Sequence, residues 1–255
     1  RLALSKLSFK VTMWVWAATM AVFICPLMPF IKPRIRASST RAPRPQHMSF
    51  RFLRSPAFLI FQTGNFLQSL GFFAPSLYLP TYSRVVMRES GFGITAPLMV
   101  MNAGMVLGLI LVGHLTDRWH VANVIFMATI LTVFGVFVIW GLSVKFPVLC
   151  VFALLYGVVA GSASATWPAI IQIVKGTDQA APAGLILGIF TAIRGLGAIA
   201  CGPISAALIN AKLPWVGDSS ATAYGTRFAG LILYTGITAS FGVLGFGAKR
   251  MGFFD

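Results

Sequence analysis

Acidic side chains are scarce in this 255-residue chain: five in all, Glu89, Asp117, Asp178, Asp218 and Asp255, against 20 lysines and arginines. All five lie in gaps between apolar runs or at the terminus. No carboxylate pair is therefore placed for acid–base chemistry, and none sits where it would relay protons through an apolar segment. His47, His114 and His120 likewise avoid the middle of the runs. Cysteine is sparse too. Cys25, Cys150 and Cys201 are widely spaced, odd in number and without metal-ligand spacing, which excludes a disulfide framework and reads as small buried side chains. With no nucleophile beside a base and no phosphate-cradling loop, the chain is expected to be no enzyme and to hold no cofactor or metal.

Charged residues make up only 10% of the chain and hydrophobic ones 57%; soluble domains average about 25% charged. The apolar residues fall into uncharged runs at Val11–Ile31, Ser55–Ser83, Ser90–Thr116, Trp119–Val144, Phe146–Val174, Gln179–Ala211 and Phe228–Ala248, the sixth broken only by Arg194. A bilayer core needs about 20 mostly apolar residues per helix, so each run is long enough to span. The pattern predicts an all-α membrane protein with about seven transmembrane helices.

The net charge of +15 does not point to nucleic acid, because of where it sits. Lys32, Arg34, Arg36, Arg41, Arg44, Arg51 and Arg54 crowd one Pro/Ser/Arg-rich linker, and most others lie in short gaps. Cytoplasmic loops look like this. Residues 32–54 are thus expected to form a basic cytoplasmic linker that buries no core, flexible or lying along the headgroups. It separates a single helix (1–31) from a six-helix bundle (55–250) with a short tail (251–255). The chain begins with arginine and its first run is too long for a signal peptide, which reads as a partial chain.

A charge at the bilayer centre costs about 2.5–3.5 kcal/mol on insertion scales. Arg194, near the midpoint of its run, is accordingly the leading candidate for a substrate contact, its guanidinium offering a planar fork that fits a carboxylate. The face it shares with Thr191, Ala198, Cys201 and Ser205 is small or weakly polar and suits a water-filled cavity. A structural arginine holding the bundle together is the alternative. Gln62, Asn65 and Ser69 form a second polar stripe with Gln68 beside it, and Asn102 and Tyr156 are further interior candidates; each serves either substrate or an interhelical hydrogen bond. Glycine pairs 104/108, 157/161 and 184/188 allow close helix approach, as static packing or as sliding faces. Trp14, Trp16, Tyr78, Tyr82, Trp140 and Trp215 sit near run ends as interfacial anchors. Trp167, followed by Pro168, either lines a cavity or kinks its helix.

Gly113-His-Leu-Thr-Asp117-Arg118 closes the third run and matches G-x-x-x-D-R, the loop signature of the major facilitator superfamily. With FLRSPAFLIFQTGNFLQSLGFFAPSLYLPTYSR (Phe52–Arg84), VFALLYGVVAGSASATWPAI (Val151–Ile170) and GLILGIFTAIRGLGAIACGPIS (Gly184–Ser205), the chain from about Lys10 to Arg250 resembles the carboxy-terminal half of fungal monocarboxylate-transporter-like members of that superfamily. The resemblance implies that Val11–Ile31 is the family's sixth helix, that the basic linker is its central loop, and that two three-helix repeats follow. Gly113 would let the helix end approach a neighbour closely, and Asp117 would face a helix N-terminus. Two departures stand out. His120 occupies the place where the family usually has glycine, and the run Ser90–Thr116 lacks the aspartate–arginine pair of animal monocarboxylate carriers, so proton-linked lactate chemistry is not carried over.

The expectation is a secondary transporter of a small, monocarboxylate-like anion, working by alternating access in the plasma membrane. Arg194, Gln62, Asn65, Asn102 and Tyr156 would be its substrate contacts, and Gly113, Asp117 and Arg118 its gating loop. Its partners would be a small-molecule substrate, the lipid bilayer and the first five helices of the same transporter. A transporter-like nutrient sensor, an inactive truncated product and a seven-helix receptor are the rival readings.

Overall fold

A computed structural model describes residues 9–30, 50–177, 181–211 and 222–244. Trp215, Asp178, Asp218, most of the basic linker and the C-terminal tail lie outside the described residues. The chain divides into two units, Arg1–Gln46 and His47–Asp255, so the division falls inside the expected linker.

In the first unit, α1 (Phe9–Ile24) runs into a 3-10 turn over Cys25–Phe30. Pro26 and Pro29 lack the N–H groups an α-helix needs, which is why it stops there. Its apolar side chains are exposed, Trp14 and Trp16 among them, and so is Cys25. That corrects the expectation of a buried thiol at position 25. Lys10–Pro29 is apolar and long enough to cross a bilayer.

The second unit is all helical among its described residues: α2 (Pro56–Phe72), α3 (Ala74–Val85), α4 (Ala96–Arg118), α5 (Val121–Phe134), α6 (Phe146–Val159), α7 (Trp167–Thr177), α8 (Ala183–Asn210) and α9 (Ala229–Ser240). The segments 96–118, 121–140, 146–176 and 183–210 are each long and apolar enough to span; 229–243 is shorter. The run Ser55–Ser83 does not form one helix. It breaks at Phe73, where Pro75 cannot donate and its ring crowds the preceding turn. The run Phe146–Val174 breaks too, through a 3-10 turn at Ala163–Thr166 just before Pro168. These interruptions fall in the first span of each three-span set. A π-turn, Gly135–Trp140, extends α5.

Helical structure in this unit is present before the expected boundary at residue 55. Arg51–Arg54 forms a 3-10 turn whose Phe52 is fully buried against Phe58, edge to face at 5.2 Å between ring centroids. The linker therefore does contribute to a core, because its last residues carry an aromatic side chain. Ser55 then caps α2, its hydroxyl accepting from the Phe58 N–H at 3.3 Å.

Helices α4 and α6 meet backbone to backbone. A Cβ on Gly104 would lie 2.7 Å from the Leu154 carbonyl oxygen, while one on Gly108 or Gly157 would fall on the Val158 or Met101 carbonyl. Gly184 and Gly188 meet nothing within 4 Å, so this third pair makes no such contact. Tyr82 and Trp140 are not interfacial anchors. Both are fully buried, the Tyr82 hydroxyl donating to the Ser143 carbonyl at 2.6 Å. They pack in one aromatic cluster, Tyr82 against Phe228 and Trp140 stacked on Phe152, a contact no run boundary encodes.

Candidate functional site

A groove opens between α2, α5, the 163–166 turn, α7 and α8. It holds about 660 Å³ of empty space with its open side counted. Phe61, Gly64, Asn65 and Gln68 line it from α2, Ile125, Thr129 and Thr132 from α5, Thr166, Trp167 and Ile170 around the second break, and Phe190 and Arg194 from α8. In transporters, interrupted helices at corresponding places in two repeats mark the site. Here α7, after the second break, supplies Trp167 and Ile170, and α2, up to the first, supplies Ile60, Phe61, Gly64, Asn65 and Gln68.

Arg194 is half-buried and has no acidic partner among the described residues. Its guanidinium carbon lies 4.1 Å above the Phe72 ring centroid and 5.9 Å from that of Trp167. One Nη1–H donates to Asn65 Oδ1 at 3.4 Å. Asn65 is itself held, its Nδ2 donating to the Phe190 carbonyl at 3.0 Å, which turns its oxygen toward the guanidinium. Aromatic faces hold a cation by quadrupole attraction without neutralising it. Most of the five guanidinium N–H donors therefore remain free for an anion.

The other sequence candidates separate. Gln62 is buried beside this site, yet it does not line the groove, and neither amide atom has a hydrogen-bond partner. Tyr156 is buried, and its hydroxyl donates to the Phe72 carbonyl at 2.9 Å. Asn102 is exposed on α4, away from the groove, and is no interior residue of this unit. The expected face of Arg194 does not line the cavity as a whole. Thr191 is exposed with its hydroxyl donating to Leu187, while Cys201 and Ser205 are fully buried, Sγ and Oγ 3.7 Å apart. Two turns beyond Arg194 the same face enters the closed part of the bundle. Of the two roles expected of Trp167, it lines the groove; it does not kink a continuous helix but opens the one that follows the 163–166 turn.

The loop signature also differs from expectation. Gly113 meets nothing within 4 Å, so it mediates no close approach here. Asp117 and Arg118 are exposed in the last turn of α4 with no ion pair among the described residues. His120 takes over a structural task, its Nδ1 accepting from the Ala122 N–H at 3.2 Å to cap α5. Sequence reading missed Thr129, Thr132 and Thr166. Two threonines three residues apart in an otherwise apolar run were the available signal.

A sequence profile of the Major Facilitator Superfamily matches residues 2–202. The chain belongs to this superfamily. It is similar to the agnestins efflux protein AgnL12 of Paecilomyces divaricatus, 29% identical over 71% of this chain and 42% of that protein. It is also similar to the MFS-type transporters pynF of Aspergillus niger, 26% identical over 77% of this chain and 45% of the relative, and hasB of Aspergillus fumigatus, 28% identical over 82% and 44%. The chain spans less than half the length of each. No solved structure matches it significantly. Superfamily membership and its apolar spans make it an integral, multi-pass membrane protein.

Proposed function

We propose that this superfamily member is a secondary transporter that moves a small organic anion across a membrane by alternating access, with Arg194 as the anion's anchor. The carrying observation is an uncompensated guanidinium in a mid-span groove, held by Phe72, Trp167 and Asn65 rather than by an acid. A carboxylate is the anion that best matches a planar donor fork, so a monocarboxylate-like solute is the proposed class. The efflux named for the Paecilomyces divaricatus relative supports export, and the plasma membrane is the proposed location. Asn65 acts by positioning Arg194. The relatives are more than twice as long as their matched parts, which supports a groove closed by further helices. Gly113, Asp117 and Arg118 are proposed to act as a gate through contacts made in another conformation.

Transport of labelled benzoate and of its neutral counterpart benzyl alcohol in vesicles carrying the protein tests this. Benzoate transport that is saturable and lost in Arg194→Gln, with surface levels unchanged, is the expected result. Equal handling of acid and alcohol, or an unaffected Arg194→Gln, overturns it.

A further inference from the structure

The hydrogen-bond inventory of the groove says more about the substrate than its charge. Three hydroxyls line it, and each has already engaged its one proton within its own helix or turn. Thr129 Oγ1 donates to the Ile125 carbonyl at 2.8 Å, Thr132 Oγ1 to Ala128 at 2.8 Å, and Thr166 Oγ1 to Ala163 at 2.7 Å. A hydroxyl whose proton is engaged presents only lone pairs. These residues belong to α5 and the 163–166 turn, whereas Arg194 belongs to α8. The α5 and 163–166 hydroxyls thus offer acceptors to the groove, while its donors come from the Arg194 guanidinium on α8 and the Gln68 amide on α2.

A simple monocarboxylate satisfies only half of this. Its apolar end would meet acceptors that gain nothing, and a second anionic or ether oxygen there would face lone pairs with no donor between them. An O–H or N–H at that end is what the threonines can receive. The remaining lining is largely apolar and rich in aromatic rings: Phe190 and Trp167 lie with ring centroids 6.3 Å apart and planes inclined at 54°, in one cluster with Phe61. Planar rings fit such walls, and aromatic pairs contribute about 0.5–1.5 kcal/mol beyond their area.

We infer that the groove takes a planar, aromatic acid bearing a hydrogen-bond donor, a phenolic hydroxyl being the simplest, with the carboxylate on Arg194 and the donor on the Thr129, Thr132 and Thr166 oxygens. This rests on the anion reading of Arg194 and adds a second recognition point on other elements of the groove. A ligand with a donor gains one hydrogen bond per molecule bound, so its advantage over the methylated analogue is expected to be several-fold to about tenfold.

The test is equilibrium binding to the full chain in lipid nanodiscs, comparing benzoate, cyclohexanecarboxylate, the three hydroxybenzoate isomers, their methoxy counterparts and hydroxybenzyl alcohols. At least one hydroxybenzoate should bind about five- to tenfold more tightly than benzoate and than its own methoxy analogue, and benzoate more tightly than cyclohexanecarboxylate. Thr129→Val, Thr132→Val or Thr166→Val, close in shape and lacking the oxygen, should erase the hydroxyl advantage, the hydroxybenzoate falling to the affinity that benzoate shows on the same variant. Hydroxy and methoxy acids of equal affinity, or an advantage that survives all three variants, would overturn the inference while leaving the anion reading standing. Alcohols binding as tightly as the acids, or no probe binding at all, would sink both.

Discussion

The Tyr156 hydroxyl donates to the Phe72 carbonyl at 2.9 Å, and this bond ties one interrupted helix to the break in the other. Phe72 is the last residue of α2. Its carbonyl is among those a helix end leaves without an intrahelical donor, and in lipid no water replaces one. The ring of the same residue lies beneath the Arg194 guanidinium at 4.1 Å. One residue thus connects Arg194 to the junction of two broken spans.

Tyr156→Phe removes that donor and leaves the ring. A buried acceptor without its partner costs about 1–3 kcal/mol, so the purified variant should unfold at a lower temperature. Arg194 keeps its place, and substrate affinity should stay within about twofold while the transport rate changes. Unchanged stability together with an unchanged rate would show that the hydroxyl does nothing at the break.

Gln62 carries a buried amide with neither atom paired. Gln62→Leu is expected to stabilise this conformation by about 1–3 kcal/mol, because the desolvated amide is removed at little change in volume. Thermal unfolding of the purified variant measures it. A fall in stability would mean that the amide is paired in the folded protein.

Glycine 157 and glycine 188 should behave oppositely. Gly157→Ala drives a methyl group into the Met101 carbonyl and must push α4 and α6 apart, whereas Gly188→Ala enters open space. We expect loss of folded protein for the first, on the scale of 1–3 kcal/mol for an overpacked contact. The second should be neutral. Size-exclusion profiles and membrane expression levels distinguish them, and equal tolerance of both would contradict the helix contact.

Asp117 sits in the last turn of α4, where the helix dipole disfavours a negative charge by about 0.3–1 kcal/mol. Asp117→Asn should therefore leave the thermal stability of this conformation equal or slightly raised. Any change in transport kinetics must then come from a contact made in another conformation. Marked destabilisation of the variant would contradict the unpaired placement seen here.

Charge-free runs of about 20 residues leave the backbone no choice in lipid but helix, so the all-helical membrane class was legible in the residues, whereas the breaks inside Ser55–Ser83 and Phe146–Val174 were not. The isolation of Arg194 in its run was legible for the same reason: a lone charge in an apolar segment is visible without coordinates. What tertiary structure decided was which polar groups meet. Gln62, Asn65 and Ser69 share one helical face, yet only Asn65 reaches both Phe190 and Arg194, because the facing residues of α8 set the contact. Cys201 shares the face of Arg194 but is sealed, since a cavity open at one level of a bundle closes two turns away. The threonines that line the groove carry no charge and cost little in an apolar run, so nothing in composition marks them. They share a groove only because the fold brings α5, the 163–166 turn and α8 around one cavity.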